Sequence, residues 1–501
     1  MNLSLLLFIP LLTVILILGS RGLKQTRMIA FCGASAQLLA AFYLLFRFLQ
    51  ERAAGNTSVM LFEFSRVWFA PLRINYHVGV DGISVAMILL SSLVVIAGVL
   101  VSWKVERMSK EFFLLLIFLS LGAYGFFISL DLFTLFFFLE LAVIPKFLLI
   151  GIWGSGRKEY SAMKLALMLM GGSALVFVGI LGICFNTASG DGMPVFDIMR
   201  IAQLTVPLHV QRLFFPFVFV GFGIFGALFP FHTWVPDGHS SAPTAASMFL
   251  AGISMKLGGY GCLRAATYLM PDAAQIYAPI IIALSTIAII YGAFATMMQK
   301  DLKYINAYSS ISHCGFVLLG IGMFNQTAIN GAVMQMVSHG LMTALFFAAI
   351  GMIYERTHTR MTARLGGLLK ILPFVSTVFV LAGLCSLGLP GLSGFVAEAT
   401  VFMGSWENPA PLYRLATLFS CASIVVTAVY ILKAVGQVIM GPVADKQFLH
   451  LTDARWNEKL ASALLILGIV AIGIAPFWLN NLVSPATQAI LGQAIKTITQ
   501  K

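Results

Sequence analysis

Apolar runs recur along almost the whole chain, separated by short segments that contain charged residues, glycine or proline. A helix needs about 20 predominantly apolar residues to cross a membrane, and these runs have about that length. They predict an all-α polytopic membrane protein with about 14 transmembrane helices. The predicted spans are 2–19, 28–47, 79–102, 112–129, 132–153, 162–186, 212–235, 242–263, 276–297, 303–323, 328–353, 371–403, 412–438 and 459–480.

Two of these runs carry helix-breaking sequence in their interior. Run 371–403 is too long for one simple span and contains GLPGLSG at 388–394, and run 212–235 is interrupted by Pro230. Unwound backbone at membrane depth is tolerated only where protein or a water-filled cavity satisfies its polar groups. We therefore predict that spans 7 and 12 are broken helices beside an interior path.

The positions of the two broken spans indicate an internal repeat. Each is the fourth member of a five-span block, and because five is odd the second block must have inverted topology. This predicts four units: 1–111 with spans 1 to 3, 112–263 as the first repeat, 276–438 as the second repeat, and 439–501 with span 14 and a tail.

Composition and charge narrow the class of protein. The 501 residues are 59% hydrophobic and 10% charged, where soluble domains have about 45–50% and 25%. A soluble protein is excluded, and the net charge of +12 points to anionic lipid headgroups rather than to nucleic acid. The six cysteines include no C-x-x-C pair, which argues against a disulfide framework, an iron–sulfur cluster or a zinc site.

Lysine and arginine are distributed unevenly between the two sets of alternating loops. The loops after odd-numbered spans contain 17, and the other loops with the termini contain 9. Because cytoplasmic loops carry the excess of positive charge, we predict cytoplasmic odd loops and two termini on the non-cytoplasmic side. A bacterial inner membrane is the expected location.

Six ionisable residues lie within the predicted spans or begin one. They are Glu140, Lys146, Lys164, Lys256, Glu398 and Lys433. A charge at the bilayer centre costs about 2.5–3.5 kcal/mol even on the lenient insertion scale, so these residues need polar partners. Two explanations stay open: an ion or proton relay, and a set of buried ion pairs that only fixes helix packing.

Three histidines are also enclosed by span sequence: His232, His313 and His339. Histidine titrates near neutral pH and can pass a proton through either ring nitrogen. Each alone is equally consistent with a helix–helix hydrogen bond, but three of them between Lys256 and Glu398 favour a relay. No histidine pair has i, i+4 spacing with a nearby carboxylate, so a metal site is not expected.

Five short motifs stand out along the chain: VDGIS at 80–84, LELAVIP at 139–145, PFHTWVPDGH at 230–239 with APT at 242–244, LAGISMK at 250–256, and AYSSISH at 307–313. Together these motifs resemble the antiporter-like membrane subunits of respiratory complex I and the related Mrp-type antiporters. The acidic Glu398 in the broken span 12 is similar to the M-type subunits of NADH–quinone oxidoreductase, whereas L-type, N-type and antiporter relatives usually have a lysine there.

This resemblance implies a proton-translocating membrane subunit that couples quinone reduction to proton pumping. It implies no cofactor in this chain; NADH or another donor, FMN, iron–sulfur clusters and quinone belong to partner subunits. The expected partners are L-type and N-type antiporter-like subunits and lipid. The implied site residues are Glu140, Lys256 and Glu398, with Lys164, His313 and His339 along a polar axis.

One departure from the family pattern concerns span 7. Relatives usually have a lysine nine residues before the tryptophan of the P-x-H-x-W motif, and this chain has Phe225 there. Span 5 instead holds Lys146, six residues after Glu140. Our hypothesis is that Lys146 replaces the missing lysine, since a lysine stem is long and flexible.

The mechanism implied for the family depends on charge displacement. A carboxylate beside an ammonium stays ionised, and separating the two favours proton transfer. By analogy with the family, we expect proton uptake near Lys256, transfer along His313 and His339, and release through Glu398, and our hypothesis makes Glu140 and Lys146 the switch. The alternatives are a cation/proton antiporter subunit, a membrane-bound hydrogenase subunit, and a structural scaffold.

Overall fold

The fold was analysed in a computed structural model that describes residues 2–187, 192–204 and 206–499, with side chains through residue 493. Within these ranges the chain is mostly helical. The helices are α1 Leu5–Gly19, α2 Leu23–Ala53, α3 Gly82–Val101, α4 Ser109–Ile128, α5 Leu132–Leu141, α6 Val143–Trp153, α7 Lys158–Asn186, α8 Ile198–Ile201, α9 Leu208–Phe225, α10 Trp234–Ser241, α11 Thr244–Phe249, α12 Met255–Gly261, α13 Pro271–Met297, α14 Leu302–Gly322, α15 Gln326–Thr357, α16 Pro373–Ser386, α17 Ser393–Glu407, α18 Pro411–Val438, α19 Trp456–Ile474 and α20 Phe477–Thr499.

The predicted multi-span fold is confirmed. Ten helical segments of the described chain are long and apolar enough to cross a membrane, and α1 and α16 are shorter apolar helices. The helices of a broken span can each be shorter than a full membrane crossing, so the number of long helices does not fix the number of spans. The count of fourteen and the four predicted units stay predictions.

Both predicted helix breaks are present. Span 7 consists of α9 and α10 with residues 226–233 between them, and span 12 consists of α16 and α17 with residues 387–392 between them. At the second break Gly388 and Gly391 have φ of +76° and +90°, a conformation that disfavours side chains with a Cβ. The glycines therefore set the place where span 12 unwinds.

The predicted end of span 14 is wrong. The run 459–480 does not form one helix, because α19 ends at Ile474 and a separate helix, α20, begins at Phe477. The intervening Pro476 cannot donate the hydrogen bond that would continue α19. The start of α20 packs across α3, where the Leu482 carbonyl lies against Gly82.

A β-hairpin interrupts the helical pattern between α2 and α3, and the sequence analysis did not predict it. Strands β1 Leu61–Phe69 and β2 Ile74–Val80 pair antiparallel, with Ser65 opposite His77. Ser4, before α1, lies 3.0 Å from the Tyr76 hydroxyl through its own hydroxyl oxygen. The N-terminus, the hairpin and the start of α20 therefore share one side, called the hairpin side below.

His77 connects the hairpin to the segment before α8. Its Nδ1 lies 2.5 Å from Asp197 Oδ2, and its Nε2 lies 3.4 Å from Glu63 Oε2. Burial opposes protonation of His77, but the hydrogen bond and charge of Asp197 and the charge of Glu63 outweigh it, so the pKa of His77 is raised. Burial acts against ionisation of Asp197 as well, but the His77 hydrogen bond prevails and the pKa of Asp197 is lowered.

These two shifts predict how the stability of the hairpin depends on pH. The contribution of His77 is complete below its ordinary pKa of 6.5 and is lost as the pH rises through its raised value. The contribution of Asp197 is present above its ordinary 3.8 and is lost as the pH falls through its lowered value. We expect hydrogen exchange of residues 61–80, corrected for intrinsic rates, to be slowest in mildly acidic solution. His77→Asn should remove the loss above neutral pH, whereas His209→Asn, at an exposed position, should preserve it.

Candidate functional site

A tryptophan side chain bridges the break in span 7. Unwinding leaves the last carbonyl groups of α9 without helical partners, and the indole Nε1 of Trp234 donates to the Ile224 carbonyl over 3.0 Å. Phe225, the last residue of α9, is 1% exposed beside this contact. The motif tryptophan therefore holds the two halves of span 7 together.

Lys256 lies between two π-helical turns in span 8. The turns are Leu250–Ser254 and Cys262–Thr267, on either side of α12. Wider π turns shift the backbone pairing and occur at functional sites, and here the Lys256 ammonium donates to the Ala251 carbonyl. The same ammonium lies 2.8 Å from Nδ1 of His339 on α15.

Four predicted site residues form one continuous chain of contacts, which we call the buried chain: Lys256, His339, His313 and Glu398. The rings of His339 and His313 stack with centroids 5.3 Å apart. His313 Nδ1 then lies 3.2 Å from Glu398 Oε1 on α17. All four residues are at most 5% exposed, so the chain is enclosed by protein from span 8 to span 12.

His313 is held at both ring nitrogens. Its Nε2 lies 3.0 Å from the Ser386 hydroxyl at the end of α16, and the Gln335 amide lies 3.2 Å from Nδ1. The ring can therefore exchange hydrogen bonds on two sides. Neither Ser386 nor Gln335 was predicted, because a serine or glutamine in an apolar run has no sequence signature of its own.

The unwound backbone of span 12 makes room for the carboxylate of Glu398. A Cβ added to Gly388 would lie 2.9 Å from Glu398 Oε2, whereas a Cβ on Gly391 would meet nothing within 4 Å. The two glycines share the left-handed conformation but only one of them touches the site.

This difference allows the role of the break to be tested. Gly388→Ala and Gly391→Ala should each destabilise the protein by about 1–2 kcal/mol through backbone strain. Only Gly388→Ala should also displace Glu398 and lower proton translocation, measured as fluorescent-dye quenching in proteoliposomes. Equal translocation by both variants would mean that the position of Glu398 does not depend on this glycine.

Glu140 and Lys146 form a second, separate pair. Lys146 is 1% exposed and interacts electrostatically with Glu140, and among the described residues its Nζ has no hydrogen-bond partner. Nζ lies 5.8 Å from the centroid of the Phe225 ring. The Lys146 ammonium therefore lies beside the position in span 7 where the antiporter-like subunits usually carry a lysine.

Lys164 contacts neither the buried chain nor Glu140 by any hydrogen bond or ion pair seen among the described residues. Its Nζ donates to Asp237 Oδ2 over 2.7 Å, and Asp237 also accepts a 3.2 Å hydrogen bond from the Tyr304 hydroxyl. Asp237 was seen only as part of a motif in the sequence, yet it is the partner of Lys164. The available signal was an acid three residues after a tryptophan in a span interrupted by proline.

His232 lies in the break of span 7 and not in the buried chain. It is 4% exposed, and its ring centroid is 4.9 Å from that of Tyr291. The expectation that three histidines would lie between Lys256 and Glu398 is therefore wrong for His232.

Several basic residues differ from their expected environment. Lys433 is exposed on α18 rather than enclosed. Lys303, counted as a loop residue, is 4% exposed and donates to the Ala242 carbonyl over 2.6 Å. Arg264, also counted in a loop, is buried in an ion pair with Asp81, the residue that caps the start of α3. Sequence position alone could not tell a helix end that faces solvent from one covered by a neighbouring helix.

No group of three His, Cys, Asp or Glu residues suited to a metal ion occurs in the part of the chain that the structure describes. The chemistry available from these side chains is proton binding and proton transfer.

A family model described as "NADH:quinone oxidoreductase/Mrp antiporter, TM" matches residues 129–427, which include all the site residues above. The chain belongs to this family. The region matched runs from the end of α4 to α18 and so contains both broken spans.

Curated relatives of the antiporter family extend the match over nearly the full length. NADH-quinone oxidoreductase subunit M of Rickettsia bellii is 34% identical over 498 residues, covering 97% of this chain and 98% of that protein. NAD(P)H-quinone oxidoreductase chain 4 3 of a Picosynechococcus species is 39% identical, covering 78% of this chain and 70% of that protein.

Two solved structures share the fold. A chain of respiratory complex I from Thermus thermophilus with bound NADH superposes with a TM-score of 0.88 at 23% identity, covering 98% of this chain and 99% of that one. A chain of the Mrp complex from Dietzia sp. DQ12-45-1b superposes with a TM-score of 0.82 at 18% identity, with the same coverage. At these identities the likeness concerns the fold.

Proposed function

We propose that this chain is the M-type membrane subunit of an NADH–quinone oxidoreductase and that it translocates protons across the membrane. The observation that carries the proposal is the buried chain from Lys256 to Glu398, in which titratable groups on four helices succeed one another through protein that excludes water. The near full-length similarity to a protein named subunit M supports the assignment to this complex.

Proton transfer along the buried chain follows from its contacts. The Lys256 ammonium donates to His339 Nδ1 at 2.8 Å. Within the described part of the chain His339 Nε2 has no hydrogen-bond partner, so this second nitrogen can pass a proton on. The ring of His313 stacks on that of His339 with centroids 5.3 Å apart, so it is the next titratable group in the chain. His313 Nδ1 lies 3.2 Å from Glu398 Oε1, so a proton carried on Nδ1 can pass to this carboxylate, and release follows on the hairpin side.

Glu140 and Lys146 act as the switch in this proposal. A paired carboxylate and ammonium are both charged, and movement of one away from the other leaves a buried charge uncompensated. In this proposal the imbalance favours loading or unloading of Lys256 with a proton. Residues of α5 and α6 can shift relative to each other because the helix is interrupted at Ala142.

The remaining features of the proposal concern the complex as a whole. The chain itself carries no redox centre; NADH or another donor, FMN, iron–sulfur clusters and quinone are held by partner subunits. Its neighbours are L-type and N-type antiporter-like subunits in a bacterial inner membrane. Purification of the native complex, with mass-spectrometric identification of its subunits and dye quenching driven by NADH oxidation, tests the proposal. A complex without NADH-oxidising subunits would refute it.

A cation/proton antiporter subunit is the second candidate, and the superposition on an Mrp complex chain favours it. Glu398 stands where antiporter relatives usually have a lysine, and this acidic residue favours the M-type subunit of an NADH–quinone oxidoreductase. Proton movement that requires sodium and no electron donor would decide for the antiporter.

The proposed orientation predicts the result of cysteine labelling. Met298 follows α13 on the side opposite the hairpin and is 73% exposed, and Thr57 is exposed before the hairpin. We expect a membrane-impermeant maleimide added to intact spheroplasts to label Thr57→Cys and not Met298→Cys, because basic loops stay in the cytoplasm. The parent chain, with its native cysteines, is the control. Labelling of Met298→Cys and not of Thr57→Cys would show that the chain has the opposite orientation.

A further inference from the structure

An apolar groove of about 300 Å³ lies between α2, α3, α15, α19 and the start of α20. Its lining consists of aliphatic and aromatic side chains and one glycine, among them Leu45, Leu90, Leu341, Leu467 and Trp478. No charged or hydrogen-bonding side chain lines it except the indole of Trp478. The groove belongs to neither the buried chain nor the Glu140 and Lys146 pair.

The groove opens sideways at membrane depth. Phe42 on α2 is 47% exposed and Leu467 on α19 is 68% exposed, and both stand at its rim. Both helices are long and apolar enough to cross the membrane. Trp478 lies at the hairpin-side end, and tryptophan is typical of the level where a bilayer meets water. The opening therefore faces the acyl region of the bilayer.

The volume and the apolar lining of the groove restrict which molecules can occupy it. Water needs two to four polar partners, which this lining does not supply. A partner helix is about 10–12 Å wide with its side chains, so even one turn of it has more volume than the groove of about 300 Å³. An apolar cavity of about 150 Å³ binds benzene, so this groove holds a hydrocarbon of on the order of a dozen carbons.

We propose that the groove binds one acyl chain of a membrane phospholipid. Val337 and Leu341 of the lining lie on α15 on either side of His339. A bound acyl chain therefore packs against the helix that carries the second member of the buried chain. That consequence rests on the proposed function, whereas binding itself does not.

Two exposed alanines on α19 allow a matched test. Ala471 lines the groove and Ala463 does not, and both are exposed. A phospholipid with a diazirine in the middle of one acyl chain is reconstituted with the purified complex, irradiated, and the adducts are mapped by mass spectrometry. We expect adducts at groove residues such as Leu467, reduced at least fivefold by Ala471→Phe and unchanged by Ala463→Phe. Ala471→Leu, which fills less of the groove, should give an intermediate reduction and serves if Ala471→Phe does not assemble.

The opposite results are equally specific. Equal labelling of the groove in the Ala471 and Ala463 variants, or no adduct in the groove at all, would overturn the proposal. So would a cross-link from Ala471→Cys to another subunit, because a protein segment would then occupy the groove. These readouts do not use proton pumping, so they are independent of whether the chain translocates protons.

Discussion

Lys256→Met in the assembled complex is expected to abolish the proton translocation that depends on this subunit. Methionine keeps the length of the stem but removes the ammonium that donates to the Ala251 carbonyl and to His339. A positioned proton donor contributes on the order of 10²-fold or more to transfer, so translocation should fall by at least that factor. The measurement is the initial rate of dye quenching in proteoliposomes, divided by the amount of assembled complex.

The chain offers a matched control for this substitution. Lys433 is a lysine on a membrane helix but is exposed away from the buried chain. Lys433→Met removes the same charge from the same kind of helix and should pump like the parent. If both lysine variants pump normally, or both fail to the same degree, Lys256 has no special part in proton transfer.

Lys146→Met is expected to impair pumping about as much as Glu140→Gln. Without the Lys146 ammonium, Glu140 is a partly buried carboxylate that has lost its cation, and an uncompensated charge in such a place is costly. The carboxylate avoids that cost by holding a proton, and the switch is then fixed in one state.

Restoring the usual family arrangement should compensate for this loss. Because the Lys146 ammonium lies 5.8 Å from the Phe225 ring, the double variant Lys146→Met with Phe225→Lys places a cation at almost the same point. It should recover much of the activity, whereas Phe225→Lys alone adds a second buried charge and should do harm. Our hypothesis fails if Lys146→Met pumps like the parent, or if the double variant is no better than Phe225→Lys alone.

The sequence predicts the parts of this protein that depend on periodicity and on backbone chemistry. The length of the apolar runs gave the spans, and the Gly388 and Pro230 segments gave the two helix breaks. The charged residues within apolar runs also indicated the site, because few explanations exist for a buried lysine. Three of them, Lys146, Lys256 and Glu398, are indeed buried.

Contacts between helices far apart in the sequence could not be predicted. The pairing of Lys164 with Asp237, and of Arg264 with Asp81, depends on which helix ends lie side by side. The outward direction of Lys433 depends on how α18 is rotated, and one residue of rotation is about 100°. The β-hairpin was not predicted, because β1 is mostly exposed and so lacks the buried apolar face that identifies a strand in the sequence.

The number of protons translocated per NADH oxidised shows whether the buried chain carries protons. The comparison is between Glu398→Gln, at the end of the buried chain, and Glu407→Gln, an exposed glutamate at the end of the same helix. Both remove one carboxylate from α17, and quinone reduction is measured in the same vesicles. We expect a lower ratio for Glu398→Gln and the parent ratio for Glu407→Gln. The parent ratio in a fully assembled Glu398→Gln complex would contradict it.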